Sequence, residues 1–218
     1  MLKLFLLLTA FSICTLNGQV MNVKNTKAAN TANEICPVKI GEIIPEVSLK
    51  NIDDKLIDLR QLVKQKQTIL VFYRGGWCPY CNLQLADLNK TENDLLSLGY
   101  QIVAISIDSP EKLKESLDKH QLKYILLSDS KAEASIAFGL AFKVADDYNK
   151  MLLSHNMNLE EASGEKHHIL PVPAVFILDK EGIIQFEYVN PDYKIRLDGD
   201  ILLKAAEKYS GDENQIIK

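Results

Sequence analysis

Residues 68–81 read TILVFYRGGWCPYC, and three physical signals follow one another inside that stretch. Thr68 to Tyr73 is a continuous β-branched and aromatic run, the pattern of a strand buried on both faces. Gly75-Gly76 breaks it. Pro79 then suits the first turn of a helix, because its missing N–H would be unpaired there anyway. From Pro79 to Leu98 the period is helical: Cys81, Leu85 and Leu88 fall at i, i+4 and i+7, Leu95 continues the stripe, and Gly99 ends it. Cys78 and Cys81 therefore stand where a buried strand passes through a glycine loop into a helix.

That position has chemical consequences. A helix N-terminus carries partial positive charge and unpaired N–H groups, which favour a thiolate over a thiol. In such motifs a thiol pKa falls from about 8.5 into the range of roughly 3.5–7.5. The spacing also brings the two sulfurs within bridging reach. Cys81 shares the apolar face of the helix, while Cys78 is expected at an exposed tip, the better place for an attacking nucleophile in disulfide exchange. Two blander readings compete. One is an inert structural bridge in an exported protein. The other is a zinc site, for which only Cys36, His167 or His168 remain to complete four ligands.

Outward from this stretch, strands and helices alternate. "KIGEIIPEVSL" (39–49) leads into a short strand, and "DDKLIDLRQLV" (53–63) reads as a turn, a strand and a helical turn. Gln101 to Ile107 is a second buried strand, followed by a helix that Asp108 or Ser109 caps and Pro110 starts. "YILLSD" (124–129) is a short strand, Lys131 to Phe138 a short helix, and Pro173 to Asp179 a third buried strand turned by "KEG" into Ile183 to Val189. Gly199 to Tyr209 closes as a helix. The expected fold is α/β, a central mixed sheet with parallel and antiparallel pairs and helices on both faces.

The 218 residues are 47% hydrophobic and 25% charged, so collagen, low-complexity disorder and a disulfide-dense mini-scaffold are excluded. A net charge of −4 supplies no global basic field for nucleic acid. Residues 1–18 have the layout of a secretory signal: Lys3, the apolar run Leu4 to Leu16, then Asn17-Gly18. That run is too short to span a bilayer, and Ile13 stands where a lipobox before Cys14 needs a small residue. Residues 19–38 read as a flexible leader, 39–210 as one domain with an insertion at 140–168 that covers or frames the site, and 211–218 as a tail. An exported protein, periplasmic or secreted, is expected, with no membrane span in the mature chain and oligomerisation left open.

With these residues in view, the sequence from Ile40 to about Lys208 resembles the peroxiredoxin-like branch of the thioredoxin-fold superfamily, the alkyl hydroperoxide reductase/thiol-specific antioxidant domain. "VFYRGGWCPYC" carries the resemblance most specifically, supported by "IGEIIPEVSL", "LSDSKAEASIAFGL" and "PVPAVFILDKEGIIQFEYVNPDY". Cys-Pro-Tyr-Cys is similar to the glutaredoxin tetrapeptide, and Trp77 before it to thioredoxin. The resemblance implies a thioredoxin-like fold and a peroxidatic cysteine at Cys81, the last place of the family's Pro-x-x-x-Thr-x-x-Cys. Arg74 then occupies its proline position and Cys78 its threonine position. Pro173 replaces the arginine that polarises the peroxide, and Val172-Pro173 matches the place of the thioredoxin cis proline.

Two mechanisms follow. As a peroxidase, the Cys81 thiolate attacks a hydroperoxide, Cys78 condenses with the sulfenic acid, Arg74 supplies the missing positive charge, and a thioredoxin-like donor re-reduces the pair. As a disulfide reductase on exported proteins, Cys78 attacks and Cys81 resolves. The first is the principal expectation, a thiol-dependent antioxidant enzyme without cofactor or metal, and a non-catalytic binding domain is the third class. Tyr80 is expected to shape substrate access and Trp77 to pack against the motif. Cys36 is a spare thiol, His167-His168 a surface or core pair, and Arg196 a salt-bridged surface residue.

Overall fold

The computed structural model describes residues 25–120 and 124–210. The signal segment at 1–18 and the tail at 211–218 lie outside the described residues. The strands are β1 (Ser48–Asn51), β2 (Leu56–Asp58), β3 (Thr68–Phe72), β4 (Gln101–Ser106), β5 (Ile125–Ser128), β6 (Ala141–Lys143), β7 (Ile169–Pro171), β8 (Ala174–Leu178) and β9 (Ile184–Val189). The helices are α1 (Leu59–Val63), α2 (Pro79–Ser97), α3 (Pro110–His120), α4 (Glu133–Ala137), α5 (Asp146–Ser154), α6 (Leu159–Ser163) and α7 (Gly199–Tyr209).

Seven strands form one mixed sheet in the order β2-β1-β5-β4-β3-β8-β9. The three strands joined through helices, β3, β4 and β5, pair in parallel, whereas β3–β8 and the β8–β9 hairpin are antiparallel. Alternation along the central strands sorts the core into two layers. Ile69, Val71, Ile102, Ala104, Val175 and Ile177 face one side, with Leu85, Leu88 and Leu95 of α2, Leu113 of α3 and Leu202 of α7. Leu70, Phe72, Val103, Ile105 and Phe176 face the other, with Leu59 and Val63 of α1 and Ala134 of α4. Helices thus cover both faces, and every residue of β3 is buried. The sequence-expected mixed sheet is the observed one.

The segment read as a flexible leader is tied down from residue 25 onward. Ala29 bridges Phe142, with its N–H donating to Ala141 and its carbonyl accepting from Lys143 at 2.8 and 2.9 Å. Val38 is buried and donates to Phe138. Gly139, at φ +68°, leaves no room for a Cβ because the Cys36 carbonyl passes over it. A polar segment without periodicity docks here through backbone hydrogen bonds to an edge, a pairing that leaves no side-chain pattern to read.

Residues 140–168 are also ordered. They contribute β6, α5 and α6, and their Val144, Leu152, Leu159 and Ala162 close a small core against Ile107 and Leu170 of β7, with Trp77 packed on it. No helix among the described residues is long and apolar enough to cross a membrane.

Candidate active site

The strand β3 ends at Phe72, and the chain turns through Tyr73–Trp77 into α2. The loop is held from three directions. The Tyr73 N–H donates to Ile105, the Asn82 side-chain amide to the Gly76 carbonyl at 2.9 Å, and the Gly76 N–H to Asp108 Oδ2 at 2.6 Å. Gly75 adopts φ +151°, and a Cβ there would collide with the Trp77 indole nitrogen and the Asp108 carboxylate. Gly75→Ala is therefore expected to cost about 2 kcal/mol or more of stability, read by denaturant unfolding.

Cys78 is the N-cap of α2 and Pro79 its N1 residue. The expected exposed tip is absent: Cys78 is 1% exposed and Cys81 fully buried, because Trp77, β4 and the 193–196 loop close around the turn. Pro79 and Tyr80 are the exposed members of the motif. Both cysteines are free thiols, as is the exposed Cys36. Burial separates the pair chemically. The Cys81 thiol donating to it and the charges of Arg74 and Arg196 hold Cys78 down at about 6, against the burial that opposes them. Burial first, then the neighbouring Cys78, pushes Cys81 well above the ordinary thiol range.

One guanidinium group touches a sulfur, and the charge of a second acts on Cys78. Arg74 is 2% exposed; its Nη2 donates to the Tyr148 hydroxyl at 2.8 Å, and its Cζ lies 4.1 Å from the Tyr193 ring centroid and 5.0 Å from Trp77's. Its backbone N–H donates to Cys81 Sγ at 3.4 Å. Arg196, which sequence reasoning left as a salt-bridged surface residue, instead reaches the site. Its Nη2 donates to Cys81 Sγ at 3.4 Å, its Nη1 to Gln84 Oε1 at 2.6 Å and its Nε to the Tyr193 carbonyl at 2.6 Å. Among the described residues, neither arginine is ion-paired with a carboxylate. A buried cation without a counter-ion is costly, and the sulfur pair is the anion at hand.

The other expected residues divide. Tyr80 stacks edge-on against Tyr193 with centroids 5.6 Å apart, at the mouth of the site. Val172 and Pro173 are buried, and no described peptide bond is cis, so the match to the place of the thioredoxin cis proline does not extend to its isomer. Val172 donates to Leu140 at 2.9 Å and continues the β7 pairing, which keeps the approach to β8 extended. Their hydrogen bonds run to Leu140 and Asn190 and not to the cysteines. His167 contacts the Ser130 carbonyl and His168 the Glu160 carboxylate, both away from the sulfurs.

Sequence reasoning missed Tyr148, Tyr193, Gln84 and Asp108 as site residues. Tyr148 comes from the 140–168 segment and accepts from Arg74. Gln84 carried a readable signal, since it lies one turn beyond Cys81 on the same helix. Of the two cap candidates for α3, Asp108 and Ser109, the second is the one observed. Ser109 does that work, accepting from Lys112 N at 3.4 Å, while the Asp108 carboxylate turns under the loop.

With this geometry in hand, comparison with known proteins is specific. The AhpC/TSA family profile matches residues 40–187. Peroxiredoxin Bcp of Escherichia coli is 34% identical over 105 residues, covering 48% of this chain and 66% of that protein. The aligned part thus spans a little under two thirds of that relative's length. Peroxiredoxin Bcp of Bacillus subtilis is 26% identical over 145 residues, 66% of this chain and 81% of that protein. The crystal structure of reduced Prx3 from Vibrio vulnificus superposes with a TM-score of 0.65 at 16% identity, over 78% of this chain and 99% of the other. Peroxidoxin BcpB from Mycobacterium tuberculosis gives 0.61 at 16% identity, over 78% and 97%. The fold is that of these structures, and the matched span takes in the sheet, the glycine loop and both cysteines: the chain belongs to the AhpC/TSA family.

Proposed function

We propose that this protein is a thiol peroxidase that reduces hydroperoxides through the Cys78–Cys81 pair. The observation that carries the reading is a pair of buried sulfurs with the Arg196 guanidinium on Cys81 and the Arg74 charge acting on Cys78, neither arginine paired with a carboxylate. A hydroperoxide presents a weak O–O bond whose cleavage places negative charge on the departing oxygen. Fixed cations in a desolvated site stabilise that charge as it develops. In the first step the Cys78 thiolate attacks the terminal peroxide oxygen, giving a sulfenic acid and an alkoxide or hydroxide that takes up a proton. In the second, the Cys81 sulfur displaces hydroxide from Cys78, forming the disulfide and water.

The family resemblance implies a peroxidatic role for Cys81. Burial and charge favour Cys78, whose thiol is the one held low. The two donors on Cys81 Sγ then stabilise its transient thiolate during resolution. An external thioredoxin-like dithiol restores the pair, and an exported setting, as residues 1–18 suggest, suits this chemistry.

Tyr80 is 38% exposed, Leu83 68% and Ile195 53%, an apolar fringe beside the site that favours a second reading, a disulfide reductase for exported protein clients. Stopped-flow Trp77 fluorescence on the reduced protein separates the two. A fast phase with hydrogen peroxide supports the peroxidase. Its absence, with fast oxidation by a disulfide-bonded peptide, makes the protein a reductase, and no redox cycling with either makes it a binding domain.

A further inference from the structure

The two sulfurs offer a ligand chemistry that peroxide reduction does not use. Cys78 and Cys81 are both free thiols, set one turn apart at the start of α2, and the Cys81 thiol donates to Cys78 Sγ, so the two are in contact. Cys78 is 1% exposed and Cys81 fully buried, which keeps bulk water from them. Two further donors reach Cys81 Sγ, the Arg74 backbone N–H and Arg196 Nη2, each at 3.4 Å. Donors aimed in this way at one sulfur suit a sulfur that bears negative charge.

Ligand count and charge then select among metal ions. The four-ligand zinc site weighed from the sequence needs Cys36, His167 or His168, and the fold engages those elsewhere. The His167 ring is taken by the Ser130 carbonyl and the Ile169 N–H, His168 pairs with Glu160, and Cys36 is exposed with its carbonyl packed over Gly139. Among the described residues, no group of three or more His, Cys, Asp or Glu stands together as a metal site. Two thiolates without a third ligand suit Cu(I), a soft monovalent ion that thiolates select and that two sulfurs satisfy. Charge points the same way. Zn(II) between two thiolates would be neutral and leave the Arg196 charge unmatched. Cu(I) between them carries a single negative charge, and Arg196, ion-paired with no carboxylate among the described residues, faces it.

We propose that the reduced Cys78–Cys81 pair is also a Cu(I) site, the ion held between the two sulfurs and the negative charge of the complex balanced by Arg196. Two S–Cu bonds form, any proton still on sulfur passes to water, and no electron moves. The lone pairs that bind the ion are those that attack an electrophile, so bound Cu(I) silences both thiols. A disulfide offers no thiolate and does not hold the ion. The inference goes beyond the peroxidase reading and does not depend on it.

The test is anaerobic titration of the reduced full chain with Cu(I), added as its acetonitrile complex, against bicinchoninate, whose coloured Cu(I) complex bleaches as the protein takes the ion. One equivalent per chain is expected to move to the protein, and Cys36→Ser to take up the same amount. Cys78→Ser and Cys81→Ser are each expected to lose the uptake. Arg196→Met should weaken it about tenfold, the loss of one charged hydrogen bond. No uptake by the wild type overturns the proposal, and so does uptake that persists in Cys81→Ser. A copper X-ray absorption spectrum with a nitrogen ligand or a third sulfur overturns it too, the marks of a histidine site and of an ion shared between two copies. An affinity unchanged in Arg196→Met refutes the charge balance. Should a serine variant not fold, the wild type oxidised to the disulfide with diamide decides: lost uptake supports the site, and unchanged uptake refutes it. A protein that holds Cu(I) but shows no fast phase with hydrogen peroxide keeps this site and loses the peroxidase reading.

Discussion

Cys78→Ser is expected to abolish fast oxidation by hydrogen peroxide, lowering its rate roughly 10³-fold or more, whereas Cys81→Ser keeps the first step and loses only disulfide formation. The argument is one of protonation state. At neutral pH a thiol held at about 6 is mostly thiolate, and its neighbour, pushed up by burial, is the proton donor that holds it there. In Cys81→Ser the hydroxyl still donates to Cys78, so the attacking thiolate survives and its sulfenic acid accumulates without a resolving partner. Mass spectrometry of that variant after one peroxide pulse should find the added oxygen on Cys78. The opposite pattern, with Cys78→Ser reactive and Cys81→Ser inert, would restore the role that the family resemblance implies for Cys81 and reverse the order of the two sulfurs.

The second large effect is at Arg196. Arg196→Met keeps much of the aliphatic packing and removes the charge and the fork that reaches Cys81 and Gln84. Losing a charged donor aimed at the reacting centre costs on the order of 10²-fold in rate. The same substitution should move the pH midpoint of Cys78 alkylation. In the wild type the thiolate fraction, and with it the alkylation rate, rises through about pH 6. Without Arg196 one of the lowering charges is gone, so the midpoint moves upward toward the ordinary thiol value of about 8.5 and the rate at neutral pH falls. Arg196→Lys should fall between the two, because an ammonium retains the charge but cannot bridge Gln84 and the sulfur together. A midpoint unmoved in Arg196→Met would show that Arg74 and the Cys81 thiol alone set the Cys78 thiolate.

The stretch from Thr68 to Leu98 was legible because its signals are local. An all-apolar run marks a strand buried on both faces, glycines end it, a proline opens the helix, and i, i+4, i+7 spacing fixes which face turns inward. Those features alone placed Cys81 on the core side of α2, where it is found. The mixed sheet followed from strands alternating with helices and from one late hairpin.

What surrounds the sulfurs was not local. Arg196 meets Cys81 across 115 residues of chain, and Arg74 meets Tyr148 across 74. No periodicity encodes a pairing at that separation, so an arginine in a polar loop read as surface. The same holds for Asp108, whose position before a helix made it one of two cap candidates, while the packing of Gly76 over it made it a buried acid. Cys78 was expected in solvent because a helix tip usually is. It is enclosed because it packs into the core layer that Trp77 and the β4 side chains share, an apolar burial that only the closed chain completes. The sequence by itself determined the strands and helices of the central sheet and which two sulfurs stand at the helix start. The tertiary structure decided their burial and the charges around them, because desolvation and Coulomb fields depend on distance in space and not along the chain.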